Sequence, residues 1–461
     1  MSDRGLRAAV ARMEAAGLPD LAIAAFTRQY RQVEAQETGL IPEDSIAPLG
    51  DVTRLEEIDV DPQATREALA KTVVIRLNGG LGTSMGIRGP KTALTVRGGL
   101  TFLDIMAGQV LRLRETRGVE LPLLLMDSFR TSAETLALLA HHDGLEIDGL
   151  PLDFLQHREP KLVADTLEPV DWPEDPELEW CPPGHGDLYV ALQTTGLLDT
   201  LRARGFRYAF VSNGDNLGAT CDPAIPAWMA AESIPYVAEV CDRTLNDRKG
   251  GHLALRRSDG QLVLRDSAQV APEDDAHFQD TERHRYFHTN NLWIDLDALA
   301  AVLAERDGLL GLPLIVNRKT VDPSRPDSTP VLQLESAMGA AVGVIPGARA
   351  LHVPRRRFRP VKTTNELLLL RSDLMELDED LTLVWTGGAT EPAIRLGDDY
   401  RLIDDFDARF PEGVPSLRDC TALTVDGDVT FGADVVCRGD VRVSAAAPRR
   451  IPDGTVLSGD C

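Results

Sequence analysis

A buried strand that runs into a glycine-rich loop constrains the fold of this chain more than any other segment. Residues 73–77 read Val-Val-Ile-Arg-Leu, and residues 78–91 then hold five glycines and end at Pro90-Lys91. Short β-branched runs are typical of buried parallel strands. Glycines let several backbone N–H groups approach one anion without interference from Cβ atoms. We therefore expect a parallel α/β sheet with a phosphate-binding loop that Lys91 completes.

The loop matches neither of two common phosphate-binding fingerprints. Gly80, Gly82 and Gly86 are spaced G-x-G-x-x-x-G, which is one residue too long for the dinucleotide motif. Pro90 stands directly before Lys91, where the Walker motif needs glycine. A tight strand-to-helix connection without any ligand is the structural alternative. The residues alone thus indicate phosphate without naming the molecule that carries it.

Length and charge narrow the class of protein. A chain of 461 residues exceeds one ordinary core, so we expect two or three domains. The net charge of −24 excludes a general nucleic-acid-binding protein, which needs an electropositive surface. The same charge would repel an anionic substrate, so any phosphate site must concentrate cations locally.

Cysteine usage and hydropathy indicate a soluble, cytoplasmic protein. The six cysteines are scattered and form no CxxC pair, which favours reduced thiols over disulfides or a zinc site. No basic-plus-apolar leader opens the chain, and no apolar run approaches membrane-spanning length. We therefore expect no membrane association.

Alternating strand and helix patterns predict the order of the elements. Residues 1–36 should form two helices divided at Gly17-Leu18-Pro19, and residues 41–70 a connecting segment. Apolar runs at 121–126 and 208–212 predict further parallel strands, because helical patterns separate them. The predicted intervening helices begin near Thr101, with a capping box to Asp104, and at Ser132.

A carboxylate follows the strand predicted at 208–212. The sequence there is Asn213-Gly214-Asp215-Asn216. In open α/β sheets, ligands bind at the carboxyl ends of the strands. Asp215 is therefore suited to hold Mg²⁺ against a bound phosphate, although an Asx turn explains the same residues equally well.

Two further segments carry polar side chains that suit a ligand. In residues 182–187, two glycines flank His185 and indicate close approach of the backbone. Residues 288–291 offer amides just before an apolar run, and amides suit sugar hydroxyls because they donate and accept. A surface histidine and ordinary turn chemistry are the alternatives.

Residues 355–362 form the densest positive stretch of an acidic chain. A solvated basic face is the usual explanation for such a run. Here it could also supply the local cations that an anion site needs. Lys362 of this run and Lys91 could then contact one phosphate group from two sides.

Beyond about residue 376 the composition shifts to short strands separated by Gly and Asp. Apolar triplets begin at 423, 429, 435 and 441, a repeat of six residues. That period is expected for a parallel β-helix, and a small antiparallel meander is the alternative that the residues leave open. Open ends of a β-helix can be covered by other chains, so self-association through this segment is plausible.

Taken together, these motifs resemble the eukaryotic-type UTP–glucose-1-phosphate uridylyltransferases, or UDP-glucose pyrophosphorylases. The similarity covers nearly all of residues 70–375. In chain order it comprises Leu77 to Gly86, Gly89-Pro90-Lys91, Pro182 to Tyr189, Ser212 to Ala219, Lys249-Gly250-Gly251, Thr289 to Trp293, Pro313 to Asn317 and Val361 to Thr364.

The resemblance implies a fold, a reaction and a cofactor. The expected segments are an N-terminal helical part and connector (1–70), a catalytic domain (71–375) and a C-terminal domain (376–461). The catalytic domain would be a GT-A/Rossmann-like nucleotidyltransferase domain with a mixed, mainly parallel sheet, and the last domain a left-handed parallel β-helix. The implied reaction joins UTP and glucose 1-phosphate, with Mg²⁺, to give UDP-glucose and pyrophosphate.

The resemblance also implies roles for individual residues. Lys91 and Lys362 would be catalytic lysines, and Asp215 would be the metal ligand. Gln156 and Gly184 would meet the uracil. The implied nucleotide-binding residues are Leu77, Asn78, Gly79, Gly80, Lys91, Gln156, Gly184, Asn213, Asp215 and Lys362. The implied sugar-binding residues are His185, Asn213, Gly214, Asp215 and Asn290.

Some residues depart from the family pattern, and other readings stay open. Gly214 replaces a common isoleucine and His288 a common asparagine, which bears on the range of sugars. A UDP-N-acetylhexosamine or broad-range UDP-sugar pyrophosphorylase is one alternative, although Thr83-Ser84-Met85 favours the glucose enzyme. A non-catalytic UDP-sugar-binding protein is the other, although it would not need the catalytic lysine.

Overall fold

The computed structural model describes residues 2–82, 85–244, 247, 250–388 and 390–461. Thr83, Ser84 and Lys249, which belong to the family-like motifs, lie outside the described residues. No helix within these ranges is both long and apolar enough to cross a bilayer. All six cysteines are free thiols.

The N-terminal helices form as predicted, and capping residues determine where the next helices begin and end. α4 starts at the predicted capping box, where Thr101 and Asp104 bond each other's backbone N–H groups, and it stops at left-handed Gly118. The helices are α1 (Ser2–Ala15), α2 (Asp20–Glu34), α3 (Pro62–Leu69), α4 (Phe102–Arg117), α5 (Ser132–Leu139), α6 (Leu188–Thr194), α7 (Leu197–Ala203), α8 (Ala224–Glu232), α9 (Asp275–Phe278), α10 (Leu296–Ala304), α11 (Thr364–Arg371) and α12 (Ile403–Arg409).

The described strands include the runs predicted at 73–77, 121–126 and 208–212. In chain order they are β1 (Ile46–Pro48), β2 (Thr72–Leu77), β3 (Thr95–Arg97), β4 (Leu100–Thr101), β5 (Leu123–Asp127), β6 (Asp153–Leu155), β7 (Glu159–Pro160), β8 (Leu162–Val163), β9 (Trp180–Cys181), β10 (Tyr208–Asn213), β11 (Tyr236–Asp242), β12 (His252–Arg256), β13 (Leu262–Arg265), β14 (Tyr286–Asp295), β15 (Ile315–Thr320), β16 (Pro330–Glu335), β17 (Arg349–His352), β18 (Met375–Leu377), β19 (Leu383–Trp385), β20 (Ala393–Leu396), β21 (Ser416–Asp426), β22 (Val429–Phe431), β23 (Val436–Ser444), β24 (Arg449–Ile451) and β25 (Val456–Asp460).

A ten-stranded mixed sheet forms the centre of the fold, in the order β1-β12-β14-β10-β2-β5-β6, with β11, β13 and β17 attached beside this path. The four strands β10, β2, β5 and β6 pair in parallel. β11 and β17 also pair in parallel, so the prediction of a mainly parallel sheet holds for these two parts. Elsewhere the long strand β14 pairs antiparallel with β10, β11 and β12, because it returns across the sheet between them.

Alternate residues of β2 face the two sides of this sheet, and both sides are covered. Val74 packs with α4 and α8 residues, whereas Val73 and Ile75 pack with residues of α6, α7 and α10. A parallel strand that is buried on both faces needs such a continuous apolar run. The core on the Val74 side continues into the C-terminal strands, where it includes Leu423.

The segment predicted as a plain connector contributes regular structure. Within 41–70, β1 pairs antiparallel with β12 at the edge of the main sheet, and α3 forms with Asp61 as its N-cap. Asp61 accepts hydrogen bonds from two backbone N–H groups of the first turn, and Pro62 occupies the first helical position. The prolines of this segment, Pro42, Pro48 and Pro62, therefore lie at the ends of short elements instead of preventing them.

The C-terminal strands pair in parallel but lie in separate sheets. One sheet has the order β20-β21-β23-β25, and β22 pairs only with β24. Two of the predicted triplets, at 435 and 441, fall within or beside the single strand β23. Stacked partners such as Val436 and Val456 are about three six-residue units apart. The parallel pairing agrees with the repeat, whereas a closed β-helix does not follow from separate sheets.

A buried charged cluster joins the connector to the main sheet. Glu43 bonds Arg265 (2.6 Å) and His284 (3.1 Å), and the His284 ring stacks on His252 with centroids 4.0 Å apart. His252 is fully buried, and neither of its ring nitrogens has a hydrogen-bond partner within the part of the chain that the structure describes. Burial, with the neighbouring positive groups His284, Arg243 and Arg265, lowers the pKa of His252 to about 2.

Acid should therefore destabilise the protein through His252. The pKa of His252 in the folded protein lies below the ordinary value of 6.5. As the pH falls, His252 is therefore protonated in the unfolded chain before it is protonated in the folded protein. This contribution to stability is complete above pH 6.5 and falls by about 1.4 kcal/mol for each pH unit below it. Urea unfolding from pH 7 to pH 5 should show a smaller loss in His252→Phe than in the wild type. His277→Ala, which removes an exposed histidine, should behave as the wild type.

Candidate active site

The carboxyl ends of four parallel strands bring the predicted site residues together. Register aligns Asn213 of β10 with Leu77 of β2, and Leu77 with Met126 of β5. A cavity of about 790 Å³ opens at this edge. It is lined by Leu77, Asn78, Gly79, Gly80, Lys91, Thr92, Met126, Gln156, Pro182, Gly184, His185, Asn213, Gly214 and Asp215.

Glycine is required at two points in the cavity wall because neighbouring groups come too close for a side chain. A Cβ atom on Gly79 would lie 2.3 Å from the amide nitrogen of Gln156. At Gly214 it would lie 2.9 Å from the carbonyl oxygen of Leu77. The backbone of the loop therefore faces the cavity directly, as the glycine pattern predicted.

Asn78 shapes the loop through its side chain, which is saturated with protein partners. Its Nδ2 donates to Asp127 Oδ1 at 2.8 Å and to Thr135 Oγ1 at 2.9 Å, and its Oδ1 accepts a short bond from Thr92. Asp127 is fully buried, and burial raises the pKa of its carboxyl to about 6 despite the hydrogen bonds that it accepts. The Asn78 N–H donates to the Met126 carbonyl oxygen at 2.8 Å, so only the carbonyl oxygen of Asn78 is then available to a ligand.

Lys91 and Asp215 form an ion pair inside the cavity. Lys91 Nζ lies 2.8 Å from Asp215 Oδ2, and both side chains are mostly buried. Asp215 Oδ1 is buried without any hydrogen-bond partner among the described residues. A desolvated carboxylate oxygen without a partner is costly, and a divalent cation would satisfy it. The pair thus places one cation and one carboxylate in the lining of the cavity.

A second loop closes the opposite wall with Gly184 and His185. Gly184 has a φ of 76°, and a Cβ there would lie 2.5 Å from the carbonyl oxygen of Ser336. The Met338 N–H donates to His185 Nδ1 at 2.9 Å. Because Nδ1 accepts, the ring proton of the neutral imidazole sits on Nε2. Burial lowers the pKa of His185, which keeps the ring in this neutral, donating form.

Lys362 lines a neighbouring cavity of about 1060 Å³ and not the one around Lys91. The adjoining Val361 N–H donates to the backbone oxygen of Asp215 at 3.2 Å. The Lys362 side chain is exposed. The segment that carries Lys362 is therefore hydrogen-bonded to the Asp215 loop, while the Lys362 side chain itself lies at the surface.

Most arginines of the basic run are paired with acids and supply little free charge. Arg355 bonds Asp247, Arg357 bonds Glu239, and Arg359 bonds Glu391. The hypothesis that the whole run supplies local cations is thus too broad. Within the described residues, no ion pair joins Arg356 or Lys362 to an acid, and both are exposed.

Asn290 lies inside a strand and not in a turn before it. Residues 288–291 are part of β14, next to a register shift in the β11–β14 pairing. Asn290 has a left-handed φ of 58°, and its N–H donates to His288 Nδ1 at 3.3 Å. The sequence suggested a turn because this irregular position carries polar residues. Asn290 does not line the cavity around Lys91.

Three cavity residues had no role in the sequence interpretation: Thr92, Met126 and Pro182. Asp127, which directly follows the apolar run predicted at 121–126, orients Asn78. Its position at the carboxyl end of β5 was the available signal. Glycine backbone, Lys91 and Asp215 around a cavity at the carboxyl edge of parallel strands are typical of nucleotide-binding α/β proteins.

Comparisons with known proteins narrow this class to one family. A family model described as UTP–glucose-1-phosphate uridylyltransferase matches residues 23–438. The enzyme of that name from Solanum tuberosum is 39% identical over 425 residues, covering 91% of this chain and 85% of the relative. Its counterpart from Saccharomyces cerevisiae is 39% identical over 435 residues, covering 93% and 85%.

Solved structures agree with the family match. A crystal structure of a UDP-glucose pyrophosphorylase variant from Leishmania major in complex with UDP-glucose superposes with a TM-score of 0.92 at 41% identity. A UDP-glucose phosphorylase from Trypanosoma brucei superposes with a TM-score of 0.91 at 43% identity. Each comparison covers 99% of both chains. The chain belongs to the UTP–glucose-1-phosphate uridylyltransferase family.

The close contact at Gly184 gives a test of this cavity wall. Gly184→Ala should lower the free energy of unfolding for two reasons. The φ at this position is positive, and the added Cβ would clash with Ser336. Gly196→Ala is the matched control, because Gly196 has a φ of 70° and open space around its Cβ position. Urea unfolding should show a loss of about 1 kcal/mol for the control and about 1–3 kcal/mol more for Gly184→Ala. Equal losses would contradict the close contact.

Proposed function

We propose that this chain transfers a uridylyl group from UTP to glucose 1-phosphate and releases pyrophosphate. The observation that carries the proposal is the Lys91–Asp215 pair in a cavity walled by glycine backbone. Such a wall suits a nucleotide triphosphate, whose phosphates need backbone N–H donors and a nearby cation. The UDP-glucose bound to the Leishmania relative supports the same products.

The proposed nucleotide half of the site follows the lining of the cavity. The backbone of Leu77 to Gly80 holds the nucleotide, since the Asn78 side chain is already saturated. Gln156 and Gly184 meet the uracil, and Asn213 reaches the ribose. The Gln156 amide touches the Gly79 backbone, so base and phosphate recognition share one wall.

The proposed sugar half includes His185, Gly214, Asp215 and Asn290. A neutral His185 donates from Nε2 to the sugar phosphate, because Met338 occupies Nδ1. Asn290 reads glucose hydroxyls from β14. The proton on Nε2 makes His185 a hydrogen-bond donor over the whole range in which the imidazole is neutral.

The chemistry requires charge neutralisation more than proton transfer. A phosphate oxygen of glucose 1-phosphate forms a bond to the α-phosphorus of UTP, and the bond to the pyrophosphate oxygen breaks in line. The nucleophile is already an anion, so no general base is needed. Lys91 and Lys362 must offset the repulsion between two polyanions and align them, as in other phosphoryl-type transfers.

The residues present fit a Mg²⁺ ion at Asp215. Its buried Oδ1 has no partner among the residues that the structure describes, and carboxylates together with phosphates are typical Mg²⁺ ligands. When bound, the ion would neutralise charge on the UTP phosphates. Lys91, now paired with Asp215, would then be free to contact those phosphates instead.

Substrate range tests the proposal against its nearest alternative. A UDP-N-acetylhexosamine or broad-range UDP-sugar enzyme would use other sugar 1-phosphates. Pyrophosphate release should be measured with UTP, CTP, GTP and ATP, each with several sugar 1-phosphates. UTP with glucose 1-phosphate should be the best pair by a wide margin. Release with no pair would instead support a non-catalytic UDP-sugar-binding protein.

Lys362 gives a direct test of the catalytic assignment. Lys362→Ala should lower turnover by roughly 10³-fold, because it removes a cation that stabilises the transition state. Circular dichroism and the melting temperature should not change, since the side chain is exposed. Arg356→Ala is the matched control, because it removes an exposed positive charge from the same segment. Similar losses of turnover in both variants would contradict the catalytic assignment. They would mean that Lys362 acts only through the overall positive potential of this segment.

Asp215 gives a test of the metal assignment. Asp215→Asn should raise the Mg²⁺ concentration for half-maximal rate roughly tenfold or more. Lys91→Ala also breaks the ion pair but keeps the carboxylate, so it should weaken UTP binding without changing the Mg²⁺ requirement. Asp404→Asn, at an exposed position of α12, should change neither. An unchanged Mg²⁺ requirement in Asp215→Asn would exclude it as the metal ligand.

The remaining proposals concern assembly and location. Parallel pairing at intervals of about three six-residue units supports a left-handed β-helix in the last of three domains, 1–70, 71–375 and 376–461. Its exposed end strand β25 would let copies associate through this domain. A cytoplasmic location is proposed from the free thiols.

A further inference from the structure

A cluster of two imidazoles and one carboxylate lies outside the candidate active site. Asp104 belongs to the first turn of α4, and His141 and His142 follow α5. Asp104 Oδ1 lies 3.1 Å from His141 Nε2 and 2.9 Å from His142 Nε2. The two rings face each other with centroids 4.2 Å apart. Three potential ligand atoms thus converge within 4.8 Å.

We propose that Asp104, His141 and His142 bind one divalent transition-metal ion of the Zn²⁺ class. In tetrahedral Zn²⁺ sites the ligand bonds measure about 2.0–2.1 Å, which places neighbouring ligand atoms about 3.3 Å apart. The two nitrogen–oxygen distances here are already close to that separation. The two imidazole nitrogens lie within 4.8 Å of each other, and binding would bring them to about the same separation.

The carboxylate is held ready for such an ion by its other oxygen. Asp104 Oδ2 accepts hydrogen bonds from the Thr101 backbone N–H (2.8 Å) and from the Thr101 hydroxyl (2.7 Å). Oδ1 is left to contact the two imidazoles.

Donor chemistry separates this site from the proposed Mg²⁺ site. Imidazole nitrogen suits Zn²⁺, Cu²⁺, Ni²⁺ and Co²⁺, whereas Mg²⁺ prefers oxygen ligands and octahedral geometry. Asp215 offers only oxygen, so the two sites should take different ions. The His141 side chain is 64% exposed, which gives an ion an entry path and leaves room for a water ligand.

A bound ion would link two elements that frame the nucleotide cavity. The first residue of α4, Phe102, bonds Leu94, which closely follows Lys91 in the chain. In α5, Thr135 accepts a hydrogen bond from Asn78. Joining the start of α4 to the end of α5 should therefore stabilise the native chain by mass action.

Zinc titration of the full-length protein tests the site. Calorimetry without nucleotide, in excess Mg²⁺, should show one Zn²⁺ per chain. The affinity should fall at least roughly tenfold in His141→Ala, an exposed position whose loss leaves the fold intact, and also in His142→Ala. His277→Ala, which removes an exposed histidine elsewhere, should bind Zn²⁺ as the wild type does.

Cobalt substitution identifies the ligands by their chemistry. Co²⁺ bound to nitrogen and oxygen should lack the thiolate charge-transfer band that cysteine ligation would produce. Zn²⁺ should also raise the melting temperature of the wild type but not of His141→Ala. Three results would each overturn the proposal: no Zn²⁺ binding by the wild type, a Zn²⁺ affinity in both histidine variants equal to that of the wild type, or a thiolate band.

Discussion

The buried ion pair between Glu239 and Arg357 is the contact on which the geometry of the candidate site depends. Arg357 donates from Nη2 to Oε1 at 2.6 Å and from Nε to Oε2 at 2.9 Å, with both side chains almost completely buried. Burial lowers the pKa of Arg357, but the charge of Glu239 more than offsets it. Trp293 and Asn291 donate to the same carboxylate. Breaking such a pair by removing one partner costs about 3–5 kcal/mol.

This pair joins the central sheet to the segment that carries Lys362. From Arg357 the chain continues to Arg359, whose backbone N–H donates to Asn216 Oδ1 at 2.7 Å. The Asn216 side chain in turn donates to the Arg357 carbonyl at 3.1 Å. Because Asn216 directly follows Asp215, the metal-ligand candidate and the candidate catalytic lysine are positioned by one buried network. Most positive side chains of residues 355–362 thus form ion pairs within the protein, whereas Lys362 is exposed.

Much of this arrangement could be predicted from the sequence where local rules decide it. The strand at 73–77, the capping box at Thr101 and the division at Gly17-Leu18-Pro19 are confirmed, since each depends on neighbouring residues only. The loop residues that surround the Lys91 cavity were also predicted, because parallel strands place their carboxyl ends along one edge. These features involve short-range propensities or a single topological rule.

Other features could not be predicted, because they depend on partners distant in the chain. Asn290 belongs to a strand because β10 and β11 pair with β14 on both sides, although its polar neighbours favour a turn. Arg355 and Arg357 are neutralised by acids more than 100 residues away. The sheet is likewise mixed because β14 pairs antiparallel with β10, β11 and β12, which are distant in the chain.

The sequence by itself predicted a glycine-rich loop that ends at Lys91 after a buried strand, because those features are local. Only the tertiary structure decided that Asp215 meets Lys91 and retains one oxygen without a partner among the described residues. Only the tertiary structure assigned Lys362 to the adjacent cavity while its neighbour Val361 bonds Asp215. The physical reason is that long-range burial, and not residue type, decides which charges are paired and which stay available.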